Sequence, residues 1–201
     1  MTAMKLYWAP RTRSLIALWA LEESGLAYER VLIDIRAGAQ NDPAFRAINP
    51  MAKVPALEDG EARLAESAAI CAYVAERAAP GLLAPPPGAP ERGRYLHWLF
   101  FGAGCVEAAF TQKFMKFEMP TSSAGWGDAD RVFGVIAAAV AEGPWLLGER
   151  FTAADVMVGA EMHFARQFSI LGDHPAIDAY IGRCLARPAF QRALAIDAGS
   201  A

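Results

Sequence analysis

Apolar and polar positions organise the chain from its first residues. Lys5-Leu6-Tyr7-Trp8 is a short run of β-prone residues that Pro10 stops. From Ser14 onward Leu15, Ile16, Leu18, Trp19 and Ala20 recur at helical spacing until Ser24-Gly25 closes the pattern. Residues 28–33 read as a second strand, and a strand, a helix and a strand in that order predict a parallel βαβ unit. A brief helical turn is predicted over 42–48. A strand beginning near Val54, the turn pair Asp59-Gly60 and a strand at 62–64 predict an antiparallel hairpin, and a helix follows over 66–78. The order of the first unit is βαβαββα.

The pattern then changes character. Pro80, Gly81, Pro85, Pro86, Pro87, Gly88 and Pro90 crowd a stretch that is neither helix nor central strand, so residues 81–90 read as a stiff linker. It divides an α/β domain at 1–80 from a second domain at 91–201. Beyond it only helical periodicity is found, over 91–119, 128–142, 153–170, 175–186 and 188–196, which predicts an all-α second domain. Within it, Thr152 and Asp155 stand three apart as a capping box, with Phe151 placed for a hydrophobic staple. That spacing gives Asp155 the structural task of fixing a helix start rather than a catalytic one.

Composition narrows the function classes. The 201 residues are 54% hydrophobic and 20% charged, enough to bury a sizeable core, and the net charge of −3 offers no basic face to nucleic acid. Apolar runs such as 95–106 and 132–141 are far shorter than the ~20 residues that cross a bilayer. The first residues lead straight into a strand pattern with neither an apolar signal core nor an Arg-rich transit helix, so a cytoplasmic protein with no membrane partner is expected. Cys71, Cys105 and Cys184 lack a Cys-x-x-Cys pair and read as buried thiols. His97, His163 and His174 lack ligand spacing, and no metal is expected.

The stretch with most chemistry is Asn49-Pro50-Met51-Ala52-Lys53-Val54-Pro55. A Val-Pro bond at a strand start is a place where a cis peptide presents backbone groups to a ligand. Glu66 and Ser67 then open a helix whose free N–H groups and dipole favour an anion. A small zwitterion fits across both.

Taken with the Pro-rich linker, the all-helical second half and the Phe151-Thr-Ala-Ala-Asp155 cap, these pieces resemble the cytosolic glutathione transferases over nearly the whole chain. The resemblance is to bacterial-type members with an active-site turn of the serine/threonine type. It implies a thioredoxin-like N-terminal domain that binds glutathione as co-substrate, an all-helical domain that supplies most of a pocket for a small hydrophobic electrophile, and a homodimer. Position by position, it implies that the Val54 backbone before a cis Pro55 pairs with the cysteinyl moiety, extending a sheet edge. Glu66 and Ser67 would hold the γ-glutamyl ammonium and carboxylate, and Lys53 the glycyl carboxylate.

For catalysis the resemblance points to the turn Ala9-Pro10-Arg11-Thr12-Arg13-Ser14. There a hydroxyl donor stabilises the glutathione thiolate without taking its proton. Thr12 matches the hydroxyl of serine-type members, with Ser14 and then Arg13 as alternatives and Tyr7 as the match to tyrosine-type ones. Arg13 stands where one bacterial class carries cysteine, which argues against a protein–glutathione mixed disulfide. Arg11, Phe110 and Phe114 are the candidates for the electrophile pocket. The expected activity is conjugation of glutathione. A non-catalytic binding module is the alternative, as are glutathione-dependent isomerisation, dehalogenation and peroxide reduction.

Overall fold

The computed structural model describes residues 3–199. They form two compact units: residues up to Pro80 together with those from Pro188 onward, and Gly81–Arg187.

The first unit is built on a four-stranded sheet of order β2-β1-β3-β4, with β1 at Met4–Trp8, β2 at Tyr28–Leu32, β3 at Ala56–Asp59 and β4 at Ala62–Ala65. β1 pairs in parallel with β2 and antiparallel with β3, and β3–β4 is the hairpin that Asp59-Gly60 turns. Gly60 takes φ 63°, the left-handed conformation such a turn needs. Helix α1 (Ser14–Ser24) is buried along almost its whole length, because β1, α3 (Ser67–Arg77) and α9 (Pro188–Asp197) all pack on it. Its apolar residues therefore run around the helix and give no single stripe. A 3₁₀ turn at Ala39–Asn41 and the one-turn α2 (Pro43–Arg46) complete the thioredoxin-like unit.

The sequence carried the helical domain through to residue 201, whereas α9 packs with the first unit. Phe190 stacks on Trp19 with ring centroids 4.0 Å apart, and Arg192 pairs with Glu22 at 2.6 Å. Both partners lie on α1.

The second unit contains α4 (Arg92–Phe101), a π-helical segment (Gly102–Val106), α5 (Glu107–Met115), α6 (Ala129–Ala141), α7 (Ala153–Gln167) and α8 (Pro175–Leu185). α7 is its central helix, buried from Ala153 through Ala165. Gly102 lets the π segment approach it: a Cβ there would lie 2.7 Å from Met157 Cγ. The helical run predicted over 91–119 ends at Met115, because Lys116 turns into the left-handed region at φ 55° and leaves Phe117 outside it. Residues 81–90 are fastened to this unit rather than slack. The Leu83 carbonyl accepts the Ala153 N–H at 2.8 Å, and Arg150 donates to the Gly81 and Ala84 carbonyls.

The capping box at the start of α7 is formed. Asp155 is fully buried and accepts the N–H groups of Thr152 and Leu146, both at 2.8 Å, while the Tyr180 hydroxyl lies 3.2 Å away. Cys71 and Cys184 are buried thiols, but Cys105 on the π segment is only half-buried. Among the described residues no helix is long and apolar enough to cross a membrane.

Candidate functional site

Strand register gathers the candidate residues of the first unit at one end of the sheet. Tyr7 of β1 pairs with Ala56 of β3, which pairs with Ala65 of β4. These three residues form one row across the sheet, about 10 Å wide at ~4.8 Å per strand. Just beyond that row lie the turn 9–14 that follows β1, Val54-Pro55 that precedes β3, and Glu66-Ser67 that follows β4. The segments 9–14, 54–55 and 66–67 are brought together because β1 and β4 run one way and β3 the other.

In the turn, Arg11 adopts φ 58°, and its N–H is held by Asp197 Oδ1 at 2.9 Å. The two candidate hydroxyls differ in access. Ser14 is fully buried at the start of α1, and its Oγ accepts the Ala9 N–H at 3.3 Å. Thr12 is half-exposed; its hydroxyl donates to the Ala9 carbonyl at 2.7 Å, accepts the Ser14 N–H at 3.1 Å and lies 2.9 Å from Ser14 Oγ. With the Thr12 proton on Ala9, the Ser14 proton bridges the two oxygens. Arg13 occupies the N-cap position of α1 without a side-chain capping bond. Tyr7 packs its ring against Phe45, 5.8 Å between centroids, beside Ile33 and Ala56, which makes it a core residue of the sheet face.

The Val54–Pro55 peptide is cis. Val54 does not sit on a sheet edge as expected, since β3 is flanked by β1 and β4 and the edge strands are β2 and β4. Its backbone is open for a different reason: the ladders of β3 begin only at Ala56, so Val54 lies outside both registers. The segment before it is braced by buried Asn49, which sequence reasoning did not single out. The Asn49 side chain donates to the Lys53 carbonyl at 2.7 Å and accepts the Met51 N–H at 3.0 Å. An Asn before a proline in a turn is the signal that could have revealed it. Lys53 is exposed.

Glu66 is the N-cap residue of α3, at φ 65° and ψ 118°, and its side chain makes no capping bond. Ser67 is the first helical residue and half-buried. A carboxylate, a hydroxyl and uncapped helix amides thus stand together at an accessible helix start.

Phe110 and Phe114 belong to the second unit. They stack at 6.0 Å, and both meet Phe168 edge-on, so Phe110 is buried while Phe114 stays half-exposed. Among the described residues no group of three or more His, Cys, Asp or Glu is placed to hold a metal ion.

Comparison with known proteins matches both halves of the chain in order. Residues 2–76 match the glutathione S-transferase N-terminal domain, and residues 107–188 match the glutathione S-transferase C-terminal domain. Relatives include the disulfide-bond oxidoreductase YfcG of Escherichia coli K12, 30% identical with 94% of this chain and 93% of that protein covered. The maleylacetoacetate isomerase of Rhizobium meliloti is 32% identical, with 96% and 95% covered. Among solved structures, a glutathione transferase from Methylococcus capsulatus superposes with a TM-score of 0.82 at 32% identity, covering 98% of this chain and 99% of its own. A family member from Pseudomonas fluorescens, solved with two glutathione bound, gives 0.81 at 26% identity, covering 96% and 92%. Sharing domain order, fold and nearly full-length similarity with these proteins, the chain belongs to the glutathione S-transferase family.

Proposed function

We propose that the protein is a glutathione transferase that activates glutathione as a thiolate through Thr12 and adds it to a small electrophile. The observation that carries this reading is the shared row Tyr7–Ala56–Ala65, which lines up a hydroxyl-bearing turn, an unpaired backbone segment and an uncapped helix start. Their spacing suits a tripeptide. Val54 would pair its backbone with the cysteinyl unit, Glu66 would take the γ-glutamyl ammonium, and Ser67 with the α3 amides would take the carboxylate. Lys53 would face the glycyl carboxylate.

Thr12 is favoured over Ser14 because it is the reachable hydroxyl, and over Tyr7 because that ring is committed to Phe45. Rotation about Cβ–Oγ1 redirects the Thr12 proton from the Ala9 carbonyl to a sulfur without moving the oxygen. The Ser14 N–H, donating into that oxygen, makes it a better donor. The thiol proton leaves to solvent, the thiolate forms the S–C bond, and the leaving group departs with its electron pair. Homodimerisation and a cytoplasmic setting belong to the same reading.

The test is the pH profile of kcat/KM with a chloronitrobenzene. Thr12→Val keeps the shape and removes the donor, so the kinetic pKa rises toward the ~8.5 of a free thiol. Turnover near neutrality then falls, by about tenfold if the pKa climbs from near 7.5 to 8.5, and recovers at alkaline pH. Thr12→Ser retains most activity. An unchanged profile in Thr12→Val would remove Thr12 from the mechanism. Retention on immobilised glutathione without turnover of any electrophile would favour a binding module.

A further inference from the structure

The first unit holds an open cavity of about 570 Å³ that the glutathione-binding segments do not explain. It is lined by Ala9, Pro10 and Arg11 of the turn, by Leu32 at the end of β2 and residues 33–36 after it, and by residues 197–199 at the end of α9. Its volume is in the range of small-molecule sites. Part of its wall is apolar: Leu32 is 61% and Ile35 37% exposed, beside Pro10.

The charged groups of the cavity are unequally committed. Both carboxylates are occupied by backbone: Asp197 Oδ1 accepts the Arg11 N–H, and Asp34 Oδ1 accepts the N–H groups of Arg36 and Ala37, each at 3.0 Å. Burial pushes the Asp197 carboxyl up, more strongly than the hydrogen bond from the Arg11 N–H and the charge of the Arg11 guanidinium pull it down. Neither the Arg11 nor the Arg36 guanidinium makes a hydrogen bond or ion pair among the described residues. The cavity therefore offers an apolar wall, two available planar cations and carboxylates already engaged. Its complement is an apolar molecule with one anionic group.

The cavity also begins at the reacting centre. Ala9, whose carbonyl holds the Thr12 hydroxyl, and Arg11, the residue before Thr12, both line it. Resting on the transferase reading above, we infer that this cavity takes the electrophile and selects aryl or alkyl electrophiles that carry a carboxylate, with Arg11 and Arg36 as the specificity-determining residues. The electrophile that the sequence described only as small and hydrophobic is thus amphipathic and anionic.

A matched substrate pair tests this: 4-chloro-3-nitrobenzoate and its neutral isostere 4-chloro-3-nitrobenzamide. Each kcat/KM is divided by the uncatalysed rate with glutathione thiolate, which removes the difference in intrinsic reactivity. The expected result is a normalised preference for the carboxylate of about tenfold or more, the worth of one charge-assisted hydrogen bond, falling about tenfold in Arg36→Gln and toward parity in the Arg11→Gln/Arg36→Gln double variant. Arg36→Lys, which keeps the charge but not the planar fork, should retain an intermediate preference. Turnover of the amide with a parental preference near one overturns the inference and leaves the transferase reading standing. A preference that survives in the double variant overturns the assignment to these two arginines. Turnover of neither compound, at any pH, overturns the transferase reading and this inference with it.

Discussion

Two helix starts in this protein solve the same problem in opposite ways. The first amides of any helix lack partners within it. At α7 the chain supplies them itself: Thr152 Oγ1 accepts the Ala154 N–H at 3.3 Å, and Asp155 gathers the Thr152 and Leu146 N–H groups in full burial. At α3 it does not. Glu66 makes no side-chain capping bond, holds a backbone conformation at φ 65° that residues with a Cβ rarely adopt, and stays exposed. Such a conformation costs about 1–3 kcal/mol. One start is finished by the fold. The other stays open, and it is the start to which the proposed γ-glutamyl contact is assigned.

The comparison breaks most visibly at α7. Asp155→Ala strands two buried backbone N–H groups and leaves the Tyr180 hydroxyl only the residue 155 carbonyl, so a loss of about 3–5 kcal/mol is expected, against the ~5–15 kcal/mol of a typical domain. Urea unfolding measures it, and a thermal midpoint lower by roughly 10 °C would accompany it. A loss below about 1 kcal/mol would mean that water replaces the carboxylate and that α7 does not depend on its cap.

The same carboxyl gives α7 a pH signature. Burial pushes Asp155 up to about 6, against the pull of its hydrogen bonds from Leu146, Thr152 and Tyr180. Between about pH 4 and 6 the folded chain then holds a proton that the unfolded chain has released. Stability from this group is fully present below about pH 4 and is lost as pH rises through 6, by on the order of 3 kcal/mol. Asp155→Asn cannot titrate. Its deficit relative to the parent should therefore be larger at pH 4 than at pH 7, and equal deficits at the two pH values would show that the group does not titrate in this window.

How much of these starts could be read from sequence follows from how local each is. The Thr152–Asp155 box is a spacing of three, and the Asp59-Gly60 hairpin a pair of neighbours, so both were legible. The strained Glu66 was not, because nothing in Ala65-Glu66-Ser67 announces a positive φ; it is imposed by where β4 ends and α3 must begin. The flanked position of β3 and the packing of α9 on α1 were illegible for a related reason. A strand's pattern does not name its neighbours, and an amphipathic helix says that it has a face, not which surface covers it. Composition could not separate Thr12 from Ser14 either, since two hydroxyls two residues apart differ only once the turn has buried one of them.

The finest probe of the comparison is Glu66→Gly, which separates the strain from the recognition. Glycine adopts φ 65° freely, so the ~1–3 kcal/mol held in the Glu66 backbone is released, less the ~0.5–1 kcal/mol of extra entropy that glycine gives the unfolded chain. A net gain of about 1 kcal/mol in unfolding free energy is expected. Glutathione affinity should fall at the same time, by about tenfold or more, because the carboxylate proposed to read the γ-glutamyl ammonium is gone. Glu66→Gln keeps the backbone strain and loses only the charge, so it should show the affinity loss without the stability gain. Calorimetric titration with glutathione, paired with urea unfolding of the unliganded variants, reads both quantities. Stability lost in Glu66→Gly would mean that the turn is not strained. Affinity kept in both variants would mean that the exposed start of α3 does not read the ammonium through Glu66.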